Sequence, residues 1–308
     1  MTKRFSASSA AQLMACPGSA NLEQAIPGYV EPIRDDMAGA KGIGTILHDN
    51  MQIFSTMTPI SLWTLAECLD NYAKLHYKIR REIVATESDL DTWIWNQTHR
   101  VLDEQPELVS PIKSFFAGIA GAQHPPSMLT FLALAAEYMG NLIGDLHAYP
   151  EDIRAEAPLT ATWLAGESGT TPDVVILGDE ELHVVDYKTG RIPVTVEDND
   201  QLLFYAASAM QEYYSVATRP DTIVVHIVQP GNMASWTFDR EYLEKWMRKA
   251  YDAEQRILNG DLSLRPSDHC TFCPANPHTR GDKATVKCPA MMEILYPPSY
   301  DEDEIFAL

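Results

Sequence analysis

The pattern of apolar and polar positions divides the chain into a helical first half and a second half that mixes strands with helices. From about residue 42 to residue 140 the apolar spacing favours helices, with breaks near 105–111 and 124–126, and it contains little strand signal. After Pro158 the pattern changes. Two β-rich runs, 174–177 and 182–187, flank turn-forming residues and predict a hairpin of two central strands.

Further elements are predicted on both sides of this hairpin. Apolar residues in 201–214 recur close to the helical period, 222–228 has the composition of a strand, and 240–258 is predicted as a helix. At the amino end, hydroxyl residues from Ser6 onward can cap a short helix that Pro17 ends. This order of elements predicts an α/β (α+β) core behind a large N-terminal helical region.

Composition permits a sizeable core but gives an unusual charge for a nucleic-acid enzyme. The chain has 308 residues, of which 45% are hydrophobic, and a formal net charge of -20. Phosphate contacts need basic residues, so the overall charge argues against a generally basic DNA-binding surface. Acidic residues concentrate in 31–36, 197–200 and 301–304. Four basic residues cluster on a predicted helix: Lys74, Lys78, Arg80 and Arg81. They could line a local basic groove or form an ordinary solvated helix face.

Two observations bear on localisation. The amino end has no apolar stretch of the kind that a secretory signal needs. The longest apolar run, 128–136, is shorter than the roughly 20 residues of a membrane-spanning helix. We therefore expect a cytoplasmic protein, in a bacterial or phage-infected cell, that does not contact a membrane.

The predicted hairpin carries the candidate catalytic chemistry. Asp173 stands just before its first strand, Asp186 stands near the end of the second, and Lys188 follows two residues later. Antiparallel pairing could bring the two carboxylates together, and the two-residue period of a strand points Lys188 to the same face as Asp186. Carboxylate oxygens hold Mg²⁺ or Mn²⁺, and a neighbouring ammonium group suits phosphodiester hydrolysis. Taken alone, an Asp-x-Lys sequence is more often an ordinary sheet edge with a salt bridge.

Three motifs in this order resemble the RecB-like branch of the PD-(D/E)XK nucleases. Asp173 with Asp186-Tyr187-Lys188 is similar to the paired acidic motifs of that branch, Gln201-Leu-Leu-Phe-Tyr205 to its Gln-x-x-x-Tyr motif, and Gly44-Thr-Ile-Leu-His48 to its Gly-x-x-x-His motif. The resemblance implies a restriction-endonuclease-like core with a mixed central sheet. It also implies hydrolysis of DNA with Mg²⁺ or Mn²⁺.

The resemblance assigns a role to each residue. The metal ligands are expected to be His48, Asp173 and Asp186, with Lys188 as the catalytic ammonium. Gln201 and Tyr205 are four residues apart, so they share a helix face from which an amide and a phenol can orient Lys188 or contact the DNA backbone. Glu156 matches an acidic position before the hairpin more loosely and completes the catalytic candidates.

The cysteines predict a second metal centre. Cys270 and Cys273 form a close pair, Cys288 follows, and Cys16 stands near the other end of the chain. In a cytosolic protein such spacing favours metal over disulfide, and four thiolates can hold zinc or an iron-sulfur cluster. One early and three late cysteines resemble the [4Fe-4S] subgroup that includes AddB-type and CRISPR adaptation nucleases, with Zn²⁺ as the alternative. The gap after Cys273 is longer than in that subgroup and contains His278.

These features predict four regions: 1–150 with the first cluster cysteine and the His motif, 151–264 as the nuclease core, 265–295 as the cysteine segment and 296–308 as an acidic disordered tail. The expected function is a DNA exonuclease of recombination, repair or phage DNA metabolism, acting on single strands or duplex ends. The alternative is a non-catalytic DNA-binding recombination accessory protein held together by the cluster or zinc. The tail could dock a recombination or single-strand-binding partner, and a homo-oligomer is a further expectation.

Overall fold

The structure, a computed structural model, describes residues 5–30, 51–80, 126–166, 168–190, 192–277 and 286–295. His48, His278 and the acidic tail 296–308 lie outside the described residues, as do the side chains of the basic cluster. The predictions made for those residues therefore stay predictions.

The described residues form seven α-helices, most of which begin or end at residues with a clear local cause. Asn199 caps the fifth helix with its side chain, and Asp239 caps the sixth by accepting a hydrogen bond from the Tyr242 amide at 2.7 Å. The sixth helix ends before Gly260, whose φ of +84° favours glycine. In chain order the helices are α1 (Ala10–Ala15), α2 (Leu22–Ala25), α3 (Pro59–Arg80), α4 (Pro126–Leu146), α5 (Asp200–Tyr213), α6 (Arg240–Leu258) and α7 (Pro289–Leu295).

A mixed five-stranded sheet forms the centre of the fold, with a separate two-stranded sheet beside it. The strands are β1 (Ile153–Ala155), β2 (Leu159–Thr160), β3 (Gly169–Thr170), β4 (Val174–Leu177), β5 (Glu181–Tyr187), β6 (Thr222–Gln229) and β7 (Asn232–Asp239). The larger sheet has the order β1-β4-β5-β6-β7, in which only the β5–β6 pair is parallel. The smaller sheet pairs β2 with β3.

Helices cover both faces of the large sheet. Val185 and Tyr187 point into a core made with α3 and α4, which pack side by side. Leu182 and Val184 point to the opposite face, into a core made with α1, α5 and α6. Because side chains alternate along a strand, Asp186 shares the face of Val184 and therefore looks toward α5.

The amino-terminal segment is fixed to the chain's last third by backbone contact. The Gly18 amide donates a hydrogen bond to the Ser263 carbonyl at 2.9 Å. A Cβ atom at Gly18 would lie 2.4 Å from the Leu262 carbonyl oxygen and 2.9 Å from a Leu264 methyl carbon. Glycine is required here because the two backbones approach too closely for any side chain.

A buried hydrogen-bonded row links α4 to the sheet. The Tyr138 hydroxyl lies 2.8 Å from Nδ1 of His226, Nε2 of His226 lies 3.1 Å from Nδ1 of His183, and Nε2 of His183 lies 3.0 Å from a Glu181 oxygen. One proton arrangement satisfies all three contacts if both imidazoles are neutral. Burial lowers the pKa of His226 to about 3, with the neighbouring His183 adding to that shift. Burial also lowers the pKa of His183, against the opposing influence of Glu181.

The fold class and the main elements of the second half are as the sequence predicts. The hairpin of β4 and β5 lies inside the sheet, and α5, β6 and α6 occupy the ranges predicted for them within two residues at each end. The strands β1, β2, β3 and β7 were not predicted. No helix among the described residues combines the length and the apolar character that crossing a membrane requires.

The buried histidine pair predicts a specific acid sensitivity. Below pH 6.5 the unfolded chain protonates both imidazoles, whereas the folded chain resists protonation because both pKa values are lowered, so stability is present above that pH and is lost as the pH falls. For His226, whose pKa in the folded chain is about 3, the loss approaches about 1.4 kcal/mol per pH unit, and His183 adds a loss of the same sign. We expect His226→Gln to show a shallower decline of unfolding free energy between pH 6.5 and 5 in denaturant titrations. Equal slopes in both proteins would contradict the assignment.

Gly18 gives a second prediction. Gly18→Ala forces a methyl group against the Leu262 carbonyl, and we expect it to lower the free energy of unfolding by about 1–3 kcal/mol. Gly144→Ala is the matched control, because the nearest atom to its new Cβ is 3.6 Å away and the site is helical. The control should be neutral or stabilising by up to about 1 kcal/mol. Thermal unfolding of both variants checks the pair, and equal melting temperatures would rule out the close approach.

Candidate active site

The sheet register places Asp173 and Asp186 side by side. β4 and β5 pair Val174 with Val185, and continuing this register by one residue sets Asp173 opposite Asp186. Directly opposed residues of an antiparallel pair point to the same face, so both carboxyl groups look toward α5. The hairpin therefore brings together two acids that are 13 positions apart in the chain.

Both carboxyl groups are buried and polar contacts hold them. Asp173 is 8% exposed and Asp186 is 3% exposed. The Tyr187 amide donates a hydrogen bond to Oδ2 of Asp173 at 2.5 Å. The Lys188 ammonium lies 2.8 Å from Oδ2 of Asp186. A buried carboxylate keeps its charge only when such partners replace water, so these contacts are the condition for an anionic site.

Lys188 joins the acids to α5 through a continuous chain of contacts. Its Nζ donates to Oε1 of Gln201 at 2.9 Å, and Nε2 of Gln201 donates to the Tyr205 hydroxyl at 2.6 Å. The two partners fix the orientation of the Gln201 amide, since only its oxygen can accept from an ammonium group. The structure thus brings together five of the residues that the motifs single out: Asp173, Asp186, Lys188, Gln201 and Tyr205.

The position of α5 is fixed at its first turn, where Gln201 lies. The Asn199 side chain accepts hydrogen bonds from the amides of Gln201 at 3.1 Å and Leu202 at 3.2 Å. Nε1 of Trp246, on α6, donates to Asp200 at 2.7 Å. The cap and this anchor hold the first turn of α5 against the end of β5.

The electrostatics of the two tyrosines reflect the nearby acids. Burial raises the pKa of Tyr205, and the charges of Asp186 and Asp173 raise it further, against hydrogen bonds from Gln201 and Thr170. Burial likewise raises the pKa of Tyr187, with the charge of Asp173 adding to it. Tyr205 therefore stays a neutral phenol that can accept from Gln201 without adding another negative charge.

Glu156, Asp173 and Asp186 lie side by side across the neighbouring strands β1, β4 and β5. The Glu156 amide donates to the Asp173 carbonyl at 2.9 Å, and continuing the β1–β4 register places Glu156 opposite Asp173. Its φ of +44° departs from strand geometry, and its side chain is half-buried. Among the residues that the structure describes, no three His, Cys, Asp or Glu side chains converge as ligands of one metal ion. The third ligand predicted for this site, His48, lies outside those residues.

The four candidate cluster cysteines lie around one small cavity. Cys16, Cys270, Cys273 and Cys288 are all buried, carry free thiols and line this cavity. Although 14 residues separate Cys273 from Cys288 in the sequence, the Cys288 amide donates to the Ala275 carbonyl at 2.9 Å. That hydrogen bond returns the chain to the cysteine pair, so the long gap is compatible with a single four-cysteine site.

Backbone amides point at several of the sulfur atoms. The Arg265 amide lies 3.3 Å from Sγ of Cys16, and the Ser267 amide lies 3.4 Å from Sγ of Cys270. Burial raises the pKa of Cys270 and of Cys273, and in both cases the neighbouring cysteines add to the rise while a backbone hydrogen bond opposes it. The four thiols lie around one cavity but are not arranged as the ligands of a single metal ion in this structure.

Two residues that support the site formed by the β4–β5 hairpin and α5 were not singled out from the sequence. Asn199 could have been, because an asparagine directly before an apolar-periodic segment is a common helix N-cap. Thr170, which hydrogen-bonds Tyr205, carries no such signal, because β3 has only two residues and pairs with a strand of the same length.

Comparisons with known proteins identify a family. The family described as "Protein of unknown function (DUF2800)" matches residues 128–308, a range that contains every residue of the proposed hairpin and helix site. Among solved structures, the chain is similar to the protein titled "Crystal structure of SSO0001", at 15% identity and a TM-score of 0.29, over 59% of this chain and 81% of that one. This likeness is too weak to support an argument. No curated protein matches the chain. Since the matched range is more than half of the 308 residues, the chain belongs to the DUF2800 family.

Proposed function

We propose that this protein is a metal-dependent DNA nuclease related to the RecB-like branch of the PD-(D/E)XK enzymes, acting as an exonuclease in recombination, repair or phage DNA metabolism. One observation carries the proposal. Asp173 and Asp186 lie opposite each other on one face of the sheet, and the Lys188 ammonium lies 2.8 Å from Asp186. An ordinary salt bridge at a sheet edge needs only one carboxylate, whereas here a second buried carboxylate, that of Asp173, lies directly opposite Asp186.

Each residue of the site has a defined task in phosphodiester hydrolysis. Asp173 and Asp186 provide the anionic oxygens that hold a divalent cation. Lys188 places a positive charge where the attacking oxygen and the phosphate would meet, and Gln201 holds that ammonium in place. Tyr205 fixes Gln201 in turn. Such preorganisation is the main source of catalysis when charge develops on a phosphate.

The donor set fits Mg²⁺ or Mn²⁺. Two buried carboxylates supply the hard oxygen ligands that these cations prefer, and His48 is the candidate for a third ligand. A cation held there would polarise the phosphate and lower the pKa of a bound water. The residues of this chain contribute the geometry: the Tyr187 amide fixes one oxygen of Asp173, and the ammonium of Lys188 offsets the charge of Asp186.

We further propose that the four cysteines hold a [4Fe-4S] cluster, with Zn²⁺ as the alternative. Backbone N–H groups directed at sulfur stabilise thiolate ligands, and Arg265 and Ser267 supply two such groups. Leu22, Leu264 and Met291 form an apolar part of the cavity wall, beside the polar residues Ser19, His269 and Asn276. Its role would be to join the amino-terminal segment to the carboxy-terminal third.

The catalytic proposal predicts the effect of removing the ammonium. Lys188→Ala should lower cleavage of end-labelled single- and double-stranded DNA about 100-fold or more, with Mg²⁺ or Mn²⁺ present, because a preorganised charge is lost. Lys245→Ala is the matched control, since Lys245 is exposed and pairs with Glu241 on the surface of α6. Circular dichroism melting of both variants checks that they fold.

The outcomes of this assay separate the alternatives. Metal-dependent cleavage that survives Lys188→Ala would contradict the catalytic assignment. A wild-type protein that binds DNA without cleaving it would instead favour the recombination accessory protein. The positions of the labelled products give the polarity of digestion and distinguish exonuclease from endonuclease.

The cluster proposal predicts metal content. Protein purified anaerobically should contain about four irons and four sulfides per chain, with the visible absorption of an iron-sulfur cluster. Cys273→Ser should lose the iron, whereas Cys68→Ser, which changes a cysteine on α3, should keep it. A protein that contains zinc but no iron would favour the zinc alternative over the cluster. A protein that contains neither metal would contradict both proposals.

A further inference from the structure

The loop that follows Lys188 has both of its ends at the proposed catalytic group. It begins after Lys188 and ends at Asn199, the cap of α5, two residues before Gln201. The Lys188 ammonium and the Gln201 amide are in direct contact at 2.9 Å. A displacement of the loop would therefore change the distance between the ammonium and the amide that orients it.

Gln229, at the end of β6, holds the middle of this loop. The residue is 1% exposed and its amide makes four hydrogen bonds. Its Oε1 accepts from the Val194 amide at 2.9 Å, and its Nε2 donates to the carbonyls of Gly190 at 2.7 Å and Ile192 at 2.8 Å. The fourth bond comes from Nδ2 of Asn232 to Oε1 at 3.1 Å. Three of the four bonds go to the backbone of the loop.

The β6–β7 turn orients Gln229 toward the loop. Pro230 and Gly231 occupy the turn, and the φ of +74° at Gly231 fits a type II geometry. Asn232, on the other side of the turn, also donates to the Val194 carbonyl at 2.8 Å. One residue before Gln229, the Val228 carbonyl accepts a hydrogen bond from the Lys188 amide at 3.0 Å. The same stretch of β6 thus holds both Lys188 and the loop behind it.

Apolar burial holds the loop at Val194 and Val196, which pack against the core that contains α5, but not at Ile192. Ile192 is 69% exposed, so the loop presents an apolar side chain to solvent while the carbonyl of the same residue bonds to Gln229. Burying an amide is costly unless its hydrogen bonds are made, and those of Gln229 are made almost entirely by this loop. The arrangement fixes the loop backbone rather than adding to the apolar core.

We propose that Gln229 is a positioning residue for the proposed nuclease reaction: it holds Gly190, Ile192 and Val194 so that the Lys188 ammonium stays between Asp186 and Gln201. The inference rests on the proposed function. Gln229 itself does not touch the acids in this arrangement, and it acts through the loop that joins Lys188 to α5. A small misplacement of a catalytic group can lower turnover about 100-fold without altering substrate affinity.

The test replaces the amide by a side chain of similar length without hydrogen-bonding capacity. Gln229→Met should lower kcat about 10- to 100-fold while KM for DNA stays within about twofold of the wild type. Hydrogen–deuterium exchange should become faster at Gly190, Ile192 and Val194. Gln255→Met is the matched control, because Gln255 lies on α6 and its buried Nε2 has no hydrogen-bond partner among the residues that the structure describes.

A second variant keeps the inference testable if Gln229→Met does not fold. Asn232→Ser removes the bonds to Val194 and to Gln229 from the half-buried first residue of β7, and it should also lower kcat, by a smaller factor. An unchanged kcat in the folded Gln229→Met protein, or in Asn232→Ser where the first variant is unfolded, would overturn the positioning role. A wild-type protein without metal-dependent cleavage would instead contradict the proposed function itself.

Discussion

The pairing of β4 with β5 is the contact on which the rest of the site depends. Its register sets Asp173 opposite Asp186 and, two residues further, directs Lys188 to the same face. Side chains alternate along a strand, so a slip of one residue would turn Asp173 away from α5. The proposed chemistry is thus a consequence of strand register more than of the individual side chains.

Two features of the hairpin prevent such a slip. Gly178 makes a turn so tight that a Cβ there would lie 2.7 Å from the Glu181 carbonyl oxygen, which fixes the length of the connection. Both faces of the hairpin are buried, with Val174 and Val185 in one core and Val175 and Val184 in the other. A slip of one residue would exchange valine for valine at these positions, but it would turn the Asp186 carboxylate into the apolar core made with α3 and α4, so the cost of burying that charge reinforces the turn.

The sequence predicts those parts of the fold whose signals are local. The hairpin, α5, β6 and α6 follow from periodicity and turn residues, and the contact of Lys188 with Gln201 was expected from the motif resemblance. β7 was not predicted because its half-exposed side chains do not alternate cleanly between apolar and polar. β1, β2 and β3 were not predicted because they have only two or three residues each. The bonds of Gln229 to residues 35–39 positions earlier exist only through tertiary structure, so no local pattern could reveal them.

The cysteine site and the hairpin site are linked through α1. Cys16 ends α1, which packs against α5 and α6, and Phe5 stacks on Phe204 at a ring-centroid distance of 6.4 Å. Phe204 directly precedes Tyr205, whose hydroxyl supports Gln201. Whatever fixes Cys16 near Cys270 therefore also limits how far the amino-terminal segment can move from the helix that orients Lys188. Since side chains in a packed core shift together, a structural metal at the cysteines would stabilise the geometry of a site to which it contributes no ligand.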